Sequence, residues 1–200
     1  MRKQNIAAQF SITREQVKEM IAVSSKRDGA LICLMGLSGL RRAEAVTMRY
    51  SYIDQDKRRL SFPGKGLKQR TVPIDVFSAR ILFHYTATNY PGKKFETQKT
   101  GEYYLFPSRN SATGVLNLNN VNRIVARAGK SAGLTNPDPD KKFINPHILR
   151  HSYAHYLKLN NVPLEVIQDL LGHSSIQTTA NSYGRRSIDE IQEILKTVEI

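Results

Sequence analysis

The sequence predicts a mainly α protein with a small antiparallel β-sheet, an α+β arrangement. Three observations carry that prediction. Apolar residues recur at helical spacing along most of the chain. One stretch, residues 52–74, breaks the rhythm with short β-prone runs around a glycine turn. The chain has 200 residues, 40% hydrophobic and 24% charged. That length and composition suit a soluble globular domain that buries about 70% of its unfolded surface.

The elements follow in order. Thr13 and Gln16 fit a capping box, with Val17, Met20 and Ile21 as the apolar stripe of a helix reaching Ser24. Ala30 to Leu37 is apolar nearly all round, which predicts a buried helix. Gly36 and Gly39 mark its end, and Arg42 to Met48 reads as a short helix. Leu60-Ser61-Phe62 and Thr71-Val72-Pro73-Ile74, joined by Pro63-Gly64-Lys65-Gly66, read as a hairpin. Asp75 can cap a helix carrying Val76, Ala79, Leu82 and Phe83. Residues 91–102 form a polar loop, and Pro107 ends the apolar run Tyr103 to Phe106. Asn117 or Asn119 caps a helix with Val121, Ile124, Val125 and Ala128 inside. After a loop from Gly133 to Asp140, helices are expected at 146–159, 164–171 and 175–181. An amphipathic tail with Ile188, Ile191, Ile194, Leu195 and Val198 closes the chain. No repeat and no interdomain linker is visible.

Charge narrows the function. Lys and Arg number 30 against 17 Asp and Glu, a net charge of +13, and the pI is near 10.0. The excess is concentrated, with 19 basic and 8 acidic residues in the first hundred. Such a patch favours a polyanionic partner, of which nucleic acid is the commonest. The alternatives are a solubility surplus or a membrane-surface patch. A single cysteine, Cys33, excludes a fold stapled by internal disulfides. No apolar run approaches the ~20 residues of a bilayer span. The start of the chain carries no apolar signal-peptide core.

Several short motifs could carry chemistry. In Pro146-His147-Ile148-Leu149-Arg150-His151, His147 and Arg150 share a helix face near its N-terminus and could hold an oxyanion. His147, His151 and His155 recur every four residues, which also fits a metal stripe, or for His151 and His155 plain core histidines. Arg41 follows a buried apolar helix, and a half-buried guanidinium needs an anion. Glu44 or a phosphate could be that anion. Gly172 can end one helix and Ser174 cap the next, fixing His173 at the junction. Gly64 to Arg70 is a basic turn and not a Walker loop.

Together these blocks resemble the catalytic domain of the tyrosine recombinases, the phage integrase family that shares its core with type IB topoisomerases. Ser38-Gly39-Leu40-Arg41-Arg42-Ala43-Glu44 is similar to the family's T-G-L-R-x-S-E block. Gly64 to Ile74 resembles its β-hairpin, and Pro146 to Leu157 its H-x-L-R-H-S-F-A-x-x-L block. Leu170 to Thr179 aligns His173, and Tyr183 aligns with the nucleophile. The blocks run in family order over residues 11–200. Three departures stand out: Ala43 replaces a small hydroxyl residue while Arg42 adds a charge, ten residues rather than nine separate His173 from Tyr183, and the N-terminal core-binding domain is expected to be absent.

The resemblance implies the recombinase catalytic fold, with a tail at residues 1–10, the catalytic domain at 11–186 and an amphipathic tail helix of the same domain at 187–200. It implies site-specific cleavage and rejoining of DNA through a 3′-phosphotyrosine, with neither metal nor cofactor. Arg41 and Arg150 would stabilise the phosphorane-like transition state, and His173 would add a donor. His147 would be general base, Lys65 general acid and Tyr183 the nucleophile. Glu44 would hold its helix and arginine, while Arg42, Lys68 and Arg70 are candidate DNA contacts. The implied partners are double-stranded DNA and further copies of the chain on it, tetrameric there and monomeric when free, in a cytoplasmic, nucleoid-associated setting without membrane. The rival readings are a DNA-relaxing activity with the same chemistry and a catalytically silent DNA-binding module. For the tail, Ile191, Ile194 and Leu195 are expected in an apolar groove, in cis or in trans.

Overall fold

A computed structural model describes residues 10–64, 69–89, 103–108, 111, 113–172 and 188–196. Its helices are α1 (Arg14–Ala22), α2 (Lys26–Gly36), α3 (Arg42–Val46), α4 (Val76–Asn89), α5 (Leu118–Ser131), α6 (Pro146–Leu159), α7 (Leu164–Leu171) and α8 (Ile188–Lys196). Strands β1 (Ile53–Asp54), β2 (Arg59–Pro63) and β3 (Gln69–Pro73) form an antiparallel sheet in the order β1-β2-β3. The mainly α arrangement with a small sheet is therefore the observed one.

Capping chemistry sets the helix starts. Thr13 and Gln16 close a capping box on α1. Helix α2 begins at Lys26, earlier than its apolar run suggests, because the Ser25 side chain accepts from the Asp28 N–H. The Asp28 carboxylate is buried but meets Arg127 Nη2 at 2.7 Å, which makes a polar residue tolerable there. Residues 28–36 are all buried, and α2 is the central rod against which α1, α4 and α6 pack. Burial pushes the Cys33 thiol up to about 12, so this cysteine is inert. Asp75 Oδ1 accepts from the Ser78 N–H to start α4, and its carboxylate pairs with Arg14.

Register fixes the sheet's inner face. Leu60 pairs with Val72 and Phe62 with Arg70, and all four side chains are buried. Side chains alternate along a strand, so Arg70 must share the inward face of Val72.

Two apolar clusters divide the core. The larger joins α1, α2, the sheet, α4, α5 and the start of α6. The smaller gathers Tyr153 and Leu157 of α6, Val162, α7, and Ile191 and Leu195 of α8. Helix α6 belongs to both, with Leu149 in one and Tyr153 in the other. Arg150 lies between these residues, at the joint. The tail helix thus packs on the chain's own core, and Arg59 clasps it through Asp189 and Gln192. The helix expected at 175–181 and the loop at 91–102 lie outside the described residues, as does the tail at 1–9.

Candidate active site

The site forms where three helix ends and one strand meet. Asn145 caps α6 by accepting from the His147 and Ile148 N–H groups, and Pro146 opens its first turn. This presents His147 on an exposed turn and Arg150 one turn further in. Gly39, at φ +66°, turns the chain out of α2; a Cβ there would lie 2.5 Å from Tyr153 Cδ1. The turn aims the Gly39 carbonyl at Arg150 Nη1, which donates to it. It also delivers Arg41 to the N-terminus of α3.

Arg41 and Arg150 line one cleft of about 420 Å³ with Arg42, His147, His151, Leu118 and Leu171. The guanidiniums that the sequence places far apart therefore share a pocket. Arg41 Nη1 donates to Glu44 Oε1 at 2.8 Å, and Glu44 Oε2 accepts from the Arg41 N–H at 2.7 Å. Glu44 is thus the anion beside Arg41, and it holds the first turn of α3.

The end of α7 is the second anchor. Gly172 adopts φ +60°, a left-handed conformation that suits glycine and stops the helix. Its last carbonyls accept from three different arginines: Leu170 from Arg70 Nη2, Leu171 from Arg150 Nη2 and Gly172 from Arg41 Nη2. A helix C-terminus carries about half a negative charge, so it draws these cations together. The result is three guanidiniums around one carboxylate and one helix pole, a strongly electropositive corner.

The electrostatics follow from that crowding. Burial, with Arg41 and Arg70 nearby, brings Arg150 down to about 10, against the pull of Glu44. Burial alone would raise the Glu44 carboxyl; Arg70 and Arg41 outweigh it and hold the group below its ordinary value. His151 is depressed by burial first, then by His147 and Arg150.

Arg70, expected as a DNA contact, is turned into the fold. It is 9% exposed, and its Nη1 donates to Glu44 Oε1 and Oε2 at 2.7 and 2.8 Å. The period-2 alternation that turns it inward is the signal that was overlooked. His151 is not a core histidine, because it faces the cleft. His155 is half-buried and pairs through Nδ1 with Ser11 Oγ at 3.0 Å. The three histidines therefore do not converge, and among the described residues no His, Cys, Asp or Glu cluster suits a metal. Arg42 stands at the cleft with Nη1 donating to Asn122 Oδ1 at 2.7 Å, a pairing with no signal in the sequence. Lys65, Lys68, His173 and Tyr183 lie outside the described residues.

A model of the phage integrase family matches residues 11–190. This chain belongs to the phage integrase family. Among its relatives, the tyrosine recombinase XerA of Thermococcus kodakarensis is 31% identical over 94% of the chain and 64% of its own length. The tyrosine recombinase XerD of Caulobacter vibrioides is 33% identical over 84% of the chain and 55% of its own length. The integrase of the Tn1549 transposon, solved in complex with circular intermediate DNA, shares the fold at a TM-score of 0.61 and 18% identity. That match covers 94% of the chain and 64% of the transposon protein. The chain thus spans between 55% and 64% of the length of these three relatives. Among its described residues no helix is long and apolar enough to cross a membrane.

Proposed function

We propose that the chain cleaves and rejoins DNA strands at specific sites through a covalent 3′-phosphotyrosine. One observation carries the reading: Arg41 and Arg150 open into a single cleft beside His147. A phosphorane-like transition state places charge on nonbridging oxygens. Preorganised guanidinium donors stabilise that charge without reorganising at the moment of reaction.

In the proposed step the Tyr183 phenol oxygen attacks the scissile phosphorus and the bond to the 5′-oxygen breaks. The phenol proton passes to His147, whose imidazole lines the cleft beside both arginines. Lys65 gives a proton to the leaving 5′-oxygen, and His173 adds a donor to the phosphate. Return attack by a 5′-hydroxyl reverses the step and rejoins the strand. Arg42 and Lys68 contact neighbouring phosphates. Double-stranded DNA is the partner, and copies of the chain assemble on it as a tetramer from free monomers. The setting is cytoplasmic, at the nucleoid. The family membership and the DNA complex of the Tn1549 integrase support this reading.

The test is a nicked suicide substrate, on which the freed 5′-end is lost and the adduct accumulates. A denaturant-resistant protein–DNA adduct is expected, mapping to Tyr183 and lost in Tyr183→Phe. Binding without an adduct would instead identify a silent DNA-binding module. Adduct formation with relaxation of supercoils but no pairing of two sites would identify a topoisomerase-like activity.

A further inference from the structure

We propose that Arg70 is a positioning residue of this site, a buried cross-tie that sets strand β3 and the end of α7 against the phosphate-binding arginines. The proposal rests on the strand-transfer reading above and adds a residue to it.

Arg70 sits opposite Phe62 on the inner face of the sheet, with its guanidinium carbon 5.4 Å from the ring centroid. One arm meets both oxygens of Glu44, and the other reaches the Leu170 carbonyl. The contact with α7 is close: a Cβ on Gly172 would lie 3.1 Å from Arg70 Nε. A single plane of donors thus joins strand β3, helix α3 and helix α7.

Chain connectivity makes these contacts matter. Lys65 is five residues before Arg70, and His173 is three residues after Leu170. Arg70 therefore ties together β3 and α7, the two elements that adjoin in sequence the segments carrying the proposed donors. Through Glu44 it also bears on Arg41, since the same carboxylate holds the Arg41 N–H and Nη1. A stability role alone does not require this chemistry, because a buried ion pair is often replaceable by packed apolar groups at little cost. What an apolar pair lacks is the rigid fork that addresses a carboxylate and a carbonyl at once. Lysine lacks it too, as a point charge on a flexible stem.

The experiment uses the whole chain with Arg70→Lys and Arg70→Met. It reads the single-turnover adduct rate at saturating suicide substrate, the Kd for the same DNA, and the thermal midpoint. Arg70→Lys should slow adduct formation by about tenfold or more with Kd within about twofold. Arg70→Met should be slower again, so that lysine recovers part of the loss. A smaller effect of Arg70→Lys overturns the proposal, as does a Kd that weakens in step with the rate. Equal rates for the two variants also overturn it. If Arg70→Met does not fold, Arg70→Lys decides alone. No adduct from the unaltered chain overturns both this proposal and the function it rests on; a normal adduct with indifferent Arg70 variants overturns only the former.

Discussion

Arg41 and Arg150 hold adjacent carbonyls of one helix end, Arg41 Nη2 at 2.5 Å from Gly172 O and Arg150 Nη2 at 2.5 Å from Leu171 O. The two side chains are thus anchored to one helix end within the folded chain itself. Each guanidinium has five N–H donors, so neither anchor exhausts its capacity for a phosphate. Preorganisation of this kind places the work of orienting charge in the fold and not in the reaction step.

Arg150→Ala should therefore reduce cleavage by at least about 10²–10³-fold, the scale for loss of a transition-state donor. DNA affinity should stay within a few-fold, because other phosphate contacts remain. Adduct rates and Kd on the same duplex check this. Equal loss of both would make Arg150 a binding residue only.

Glu44 gives a pH prediction. Its folded carboxyl lies below its ordinary value of 4.5. A depressed carboxyl contributes stability above its unfolded pKa and loses it as pH falls through the folded value. The gap in urea midpoint between the parent chain and Glu44→Gln should be full above about pH 4.5 and close below it. A gap that widens on acidification would contradict the pairing with Arg70 and Arg41.

How much of this was legible in the sequence depends on what sets each feature. Thr13, Asp75, Asn117 and Gly172 act locally, so the helices they bound could be read from neighbouring residues. Arg41, His147 and Arg150 stand in short blocks that resemble those of the tyrosine recombinases. Arg70 reads as an exposed residue because basic turns are common on surfaces, yet its inward face is dictated by Val72 two residues on. The pairing of Arg42 with Asn122 and the gathering of arginines on α7 arise from tertiary packing, and no local pattern encodes them. Helix α2 begins early because Ser25 caps it, and the buried Asp28 in its first turn is met by Arg127 across the fold, a contact that an apolar run does not reveal.

Gly172→Ala should destabilise the chain by about 1–2 kcal/mol from the left-handed backbone alone. The new methyl would also press on Arg70, which it meets at 3.1–3.2 Å. Urea unfolding measures the first effect, and the adduct rate the second. A neutral outcome in both would show that this helix end has slack.

Leu195→Ala removes a side chain that is 2% exposed and should cost about 2–5 kcal/mol. Arg59→Ala should cost less than about 1 kcal/mol, because its partner Asp189 is largely in water. Thermal midpoints of both variants would rank the contacts. The reverse ranking would mean that the clasp, not the apolar seat, holds α8.

Salt should weaken DNA binding steeply, with a log–log slope of about −0.9 for each phosphate neutralised. Titrations between low and physiological salt read the slope. A flat profile would contradict the basic character of the DNA face.

The seating of α8 gives the proposed nucleophile a short leash. Tyr183 is five residues before Ile188, and an extended chain spans at most about 3.6 Å per residue. While Ile191 and Leu195 stay in their seat, chain length lets the phenol lie no farther from the helix start than that backbone reach plus one side chain. Lending the tyrosine to a neighbouring protomer farther away would mean pulling α8 out first, at the cost of wetting those two side chains. Strand exchange between copies would then be metered by how readily a nine-residue helix lets go.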